Sequence, residues 1–188
     1  MNDNEFMTEY FRKFSSSALD ENVLPNLIKL KNLMLKTKKN SGKIIIVGNG
    51  GSAAIASHVS VDLNKVVGIR SMNFNEYDLI TCLANDYGYE NWVTKAFEMH
   101  SEKNDLAILI SSSGSSKNLI NAAKYISKKK INLVTFTGFN KNNNLSKYGN
   151  LSIWTNSKAY NIIENTHQFW LLLVCDMILG KIEYSATN

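Results

Sequence analysis

Three groups of residues in this chain have types and spacings that could do chemistry. The first is Gly48-Asn49-Gly50-Gly51-Ser52, which follows the apolar run Ile44-Ile45-Ile46-Val47. Such a run reads as a strand buried on both faces. The glycines allow a sharp turn and close approach of backbone to a ligand. Ser52 stands where a helix N-cap is expected, before Ala53-Ala54-Ile55-Ala56. Strand, glycine turn and helix N-terminus form an anion site, because free N–H groups and the positive helix end face the turn. The second group is Ser111-Ser112-Ser113-Gly114-Ser115-Ser116, at the end of the apolar stretch Leu106–Ile110. Five hydroxyls and several backbone N–H groups at one strand-to-helix junction suit a phosphate, whose oxygens want converging donors. One such loop reads equally well as a helix cap; two on one sheet favour a ligand. The third group is titratable. His58 and Asp62 are four apart, hence on one helix face. Such a pair can bind a metal or move protons, or simply hydrogen-bond to itself. Glu164 and His167 are three apart, with Gln168 adjacent, in the polar start of a helix that becomes apolar from Phe169 to Cys175. They read either as a solvated helix start or as groups brought to a site shared between protomers.

The elements that must position these groups alternate. Residues 5–39 are predicted helical, with Phe6, Tyr10, Phe11 and Phe14 in one stripe and Leu27, Ile28, Leu30, Leu33, Met34 and Leu35 in a second. Strands are expected at Lys43–Val47, Gly68–Phe74, Leu106–Ile110, Ile131–Thr137 and Leu151–Trp154. Helices are expected at Ser52–Val66, Asp78–Ala84, Glu90–Ser101, Lys117–Lys129 and Asn161–Leu179, with a loop at 138–149. This alternation predicts an α/β fold: a single doubly wound, mostly parallel sheet flanked by helices, with an N-terminal helical extension at 1–40. No linker divides the 188 residues, so one domain spanning 1–188 is expected. In open sheets of this kind ligands bind beyond the carboxyl ends of the strands, where both loops lie.

Composition excludes several classes. The chain is 44% hydrophobic and 20% charged, with a net charge of +5 and a pI near 9.1. No aromatic interleaving accompanies the lysines, which disfavours nucleic-acid binding. The first loop is neither GxGxxG nor a P-loop, and no acidic residue follows at ribose-contact spacing, so no nucleotide cofactor is expected. Cys82 and Cys175 are far apart in apolar runs and read as buried, reduced thiols. The polar start Met1–Glu5 is no signal peptide, and the apolar run at 169–175 is shorter than the roughly 20 residues a bilayer requires. The expectation is a soluble, cytoplasmic protein without a membrane partner. His100 reads as a surface residue.

The two loops, together with Ala84-Asn85-Asp86-Tyr87-Gly88, resemble the sugar isomerase (SIS) family, within it the phosphoheptose isomerase branch. The resemblance covers essentially the whole chain. It implies an enediol isomerisation of sedoheptulose 7-phosphate to a heptose 7-phosphate, in a homotetramer whose sites span subunits and whose N-terminal helices pack on the core and on neighbouring subunits. The serine loop would hold the sugar phosphate through Ser111, Ser112, Ser113 and Ser116. Asn49, Gly50, Gly51 and Ser52, with Asp86, would complete the substrate-binding set. Four positions depart from the family pattern. Asp62 stands at the family's basic glutamate, Glu164 at its glutamine, Asn161 at an aspartate and Leu172 at its acid histidine. The resemblance therefore carries two readings. In one, a rebuilt isomerase uses Asp62 as base and Glu164 or His167 as acid. Zinc, present in some members, would then sit on His58, Asp62 and Glu164. In the other, the chain is a non-catalytic phosphosugar-binding protein acting through a protein partner, such as a replication-initiator-binding tetramer.

Overall fold

The computed structural model describes residues 1–185. Its strands are β1 (Ile44–Gly48), β2 (Ser71–Met72), β3 (Leu106–Ser111), β4 (Asn132–Thr137) and β5 (Leu151–Trp154). They form one sheet in the order β2-β1-β3-β4-β5, parallel throughout. The helices are α1 (Asp3–Ala18), α2 (Leu24–Lys39), α3 (Gly51–Asp62), α4 (Tyr77–Tyr87), α5 (Trp92–His100), α6 (Lys117–Lys128) and α7 (Tyr160–Leu179).

The central strands are apolar without alternation because both faces are covered. Ile44 and Ile46 of β1, with Leu106, Ile108 and Ile110 of β3, face one layer, which includes α2, α3 and α7. Ile45 and Val47, with Ala107 and Leu109, face the other, which includes α5 and α6. α1 lies against α7, where the buried Trp170 indole N–H donates to the Ala18 carbonyl at 2.9 Å. From β1 the chain turns outward to β2, then crosses to β3 and continues to β5. The order reverses between β1 and β3, which pair from Ile44–Leu106 to Gly48–Ile110. That switch point is where such sheets bind ligands.

Several boundaries differ from the sequence reading for local reasons. The helical stretch at 5–39 is broken at Asp20, whose carboxylate accepts from the Asn22 N–H and opens a 3-10 turn, Glu21–Val23. α3 stops at Asp62 and is followed by a π-turn, Leu63–Val67, closed by Gly68 at φ +67°. The strand expected at 68–74 shrinks to two edge residues. Asn64 replaces a neighbouring strand there, accepting from the Ser71 N–H at 3.0 Å and donating to the Ser71 carbonyl at 2.8 Å. α4 runs three residues further than expected, through Asn85-Asp86-Tyr87. Cys175 is buried as expected, but Cys82 is exposed; both thiols are free. Among the described residues, no helix is long and apolar enough to cross a membrane.

Candidate functional site

At the switch point the two loops line one cavity of about 150 Å³. Asn49 and Ser52 come from the first loop, Ile110, Ser111, Ser112, Ser113 and Ser116 from the second, and Tyr160 and Glu164 from the start of α7. Ser52 is not the N-cap the sequence suggested. Gly50 holds that place, at φ +54° and ψ −123°, a conformation open to glycine and strained for other residues. Gly51, the first residue of α3, matters for a different reason. A Cβ built there would overlap the Glu164 carboxylate, so this glycine lets the carboxyl group rest against the α3 N-terminus.

The serine loop is braced from several sides. Ser111 Oγ and Ser116 Oγ share a hydrogen bond at 3.2 Å, and the Ser115 N–H donates to Ser113 Oγ at 3.2 Å. The Gly138 N–H donates to the Ser112 carbonyl at 2.8 Å, tying the loop to the end of β4. Gly114, at φ +63°, leaves room for the Asn143 side chain, which donates to Thr137 Oγ1 at 3.0 Å. Ser112 Oγ is buried without a hydrogen-bond partner among the described residues. Ser71, Thr94, Thr155 and Thr166 share that state away from the cavity, so it is the position of Ser112 in the cavity lining that makes its hydroxyl available to a ligand.

Sequence reasoning missed three contributors. Asn118 of α6 is buried and pairs with Asn49 amide to amide: Asn118 donates at 2.9 Å and Asn49 donates back at 3.1 Å. The Tyr89 hydroxyl donates to Asn49 Oδ1 at 3.3 Å. Tyr160 lines the cavity one helical turn before Glu164. None has a sequence signature, because each acts through an element distant in the chain. Asp86, by contrast, is exposed near the end of α4. It accepts from Asn85 Nδ2 at 3.0 Å and lies 3.8 Å from the Cys82 thiol, away from the cavity lining.

Glu164 is the carboxyl group of the cavity. Partial burial raises its pKa above the usual carboxylate range. His167 does not join it. The acid role considered for His167 is corrected by its position: the ring is fully buried among Phe136 and Trp170. Its Nε2–H donates to the Thr137 carbonyl at 3.2 Å, leaving Nδ1 unpartnered among the described residues. Burial lowers its pKa to about 4. In the unfolded chain an imidazole titrates near 6.5. The unfolded state therefore binds the proton first as pH falls, and stability contributed by the neutral ring is intact above about pH 6.5 and lost progressively toward pH 4. Tm is expected to fall across that window, and a His167→Leu variant to show a much flatter profile. Equal slopes for the two proteins would contradict the assignment.

The metal set is corrected too. His58 and Asp62 form the expected pair, at 3.9 Å, on the exposed side of α3. Gln168 Nε2 donates to His58 Nδ1 at 3.0 Å, which leaves the neutral ring's proton on Nε2, toward Asp62. Glu164, however, lies at Gly51, the first residue of α3, while Asp62 is the last. Eleven residues of helix separate those ends by about 16 Å. Among the described residues, no three His, Cys, Asp or Glu side chains group closely enough to hold a metal ion. His58, Asp62 and Glu164 of one chain therefore do not fit zinc, and Asp62 and Glu164 of one chain do not form a single acid–base pair.

The sequence and fold have counterparts. The SIS domain family model matches residues 9–138, which includes both loops. A phosphoheptose isomerase of Helicobacter pylori is 32% identical over 155 residues, covering 78% of this chain and 79% of the relative. A phosphoheptose isomerase of Sulfurimonas denitrificans is 30% identical over 175 residues, covering 90% and 89%. Among solved structures, a phosphoheptose isomerase from Francisella tularensis superposes with a TM-score of 0.88 at 21% identity, covering 96% of this chain and all of the other. One from Neisseria gonorrhoeae gives 0.85 at 23%, covering 93% and 95%. With the sheet order, the switch-point cavity and the two loops, these matches place the chain in the SIS domain family, in its phosphoheptose isomerase branch.

Proposed function

We propose that the chain, as one SIS domain over residues 1–188, is a phosphosugar aldose–ketose isomerase of phosphoheptose isomerase type. It converts sedoheptulose 7-phosphate to a heptose 7-phosphate through an enediol, in the cytoplasm. The observation that carries this reading is the cavity itself: a hydroxyl-rich anion loop and one carboxyl group of raised pKa face the same space. The free thiols Cys82 and Cys175 suit a reducing compartment.

In this reading the serine loop and the α3 N-terminus hold the phosphate. A base removes a proton from the carbon beside the carbonyl. The electron pair left behind becomes the carbon–carbon double bond of the enediol, while the carbonyl oxygen takes a proton from an acid. The former carbonyl carbon then receives a proton and the neighbouring hydroxyl gives one up. Glu164 is the acid. Asp62 is the base, and because it lies far from Glu164 along its own chain, it serves a site completed by a second protomer. As the family resemblance implies, the working unit is a homotetramer with sites at subunit interfaces. Phe6 and Phe11 of α1, Ile28 of α2 and Phe169 of α7 are exposed apolar side chains available to such contacts. Light scattering is expected to give four times the 21.1 kDa chain mass; a monomer mass would overturn the assembly.

The direct test is proton NMR of the purified protein with sedoheptulose 7-phosphate in D2O, with and without zinc. Deuterium at the carbon beside the carbonyl, together with new aldose signals, is the expected result. Binding without exchange would favour the second reading, a phosphosugar-binding protein acting through a protein partner. One observation supports that alternative: Asp62 does not line the cavity of its own chain.

A further inference from the structure

The geometry points to Tyr160 as the residue that contacts the carbon chain of the phosphosugar beyond its phosphate, held for that purpose by Phe139. This deepens the proposed function and rests on it. Tyr160 lines the same cavity as the serine loop, yet 57% of its surface is exposed. A large aromatic side chain left half in water at the mouth of a polar cavity offers an apolar face and a hydroxyl together. Those are the two surfaces a polyhydroxylated chain presents in turn: C–H groups to pack and hydroxyls to pair.

The ring is braced. Phe139 stands at 5.1 Å between ring centroids, tilted by 56°. Phe139 itself sits at φ +50°, the left-handed region that bulky residues rarely occupy. Two hydrogen bonds hold it there. Its N–H donates to the Ser157 carbonyl at 2.9 Å, and Trp154 Nε1–H donates to its carbonyl at 3.3 Å. Backbone strain of this kind persists where surrounding structure over-determines it, and it concentrates at ligand sites. The adjacent residue explains the coupling. Gly138 donates to Ser112 and Phe139 packs on Tyr160, so one two-residue turn at the end of β4 touches both the serine loop and the tyrosine. The phosphate anchor and the sugar contact are thereby held at a fixed separation.

Calorimetry with two probes tests this: inorganic phosphate, which needs only the serine loop and the α3 N-terminus, and sedoheptulose 7-phosphate, which also needs the tyrosine. Tyr160→Ala is expected to weaken the phosphosugar about tenfold and to leave inorganic phosphate within about twofold. Tyr160→Phe is expected to recover most of the loss. Phe139→Gly, which suits the positive φ, is expected to reproduce the selective loss because it removes the brace. Unchanged phosphosugar affinity in Tyr160→Ala would overturn the contact, and so would an equal loss for both probes. Unchanged affinity in Phe139→Gly alone would overturn the bracing. If the unaltered protein binds phosphate but not the phosphosugar, the proposed substrate fails, and this inference fails with it.

Discussion

Replacing Glu164 by glutamine is expected to slow deuterium exchange into sedoheptulose 7-phosphate by about 100- to 10,000-fold, the usual worth of a positioned acid or base. Phosphosugar affinity should stay within a few-fold. The substitution keeps size and polarity at a position packed against Gly51, so the fold has no reason to change. What it removes is the one carboxyl group that lines the cavity among the described residues. A group must carry its proton to donate it, so an acid loses function as pH rises through its pKa. Burial raises that pKa in Glu164 and extends the active range upward. The test is sharp because the family pattern has glutamine at this place. If the Glu164→Gln variant exchanges at the original rate, the side chain is a substrate contact and proton transfer belongs elsewhere.

The second large effect concerns the anion loop. The double variant Ser113→Ala and Ser116→Ala is expected to weaken phosphosugar binding by about 10- to 100-fold, as expected for two hydrogen bonds to a charged group. Both serines line the cavity. Neither is essential to the neighbouring helix, since Ser116 at the N-cap of α6 makes no side-chain capping bond. Ser115→Ala is the control: that residue is exposed and lies off the cavity lining. Calorimetry should find it unchanged. Equal affinity for the double variant and the unaltered protein would remove the loop from the phosphate site, as would an equal loss in the control.

The sequence by itself determined the architecture and the place of the candidate cavity. Uninterrupted apolar runs at Ile44–Val47 and Leu106–Ile110 belong to strands covered on both faces, and two small polar loops ending such strands must lie at the same edge of a parallel sheet. Those are properties of local pattern, and local pattern is carried by neighbouring residues. The tertiary structure decided everything that depends on which surface an element presents to a distant one. Glu164 and His167 are about 60° apart around one helix; one rests on Gly51 in the cavity, the other lies against Phe136 in the core. Spacing relates them to each other but says nothing of what packs on either side. The same limit separates Asp62 from Glu164. It also hid Asn118, Tyr89 and Tyr160, whose partners come from other parts of the fold. Side-chain chemistry can be read along a chain, but its direction is set by the packing of elements far apart in that chain.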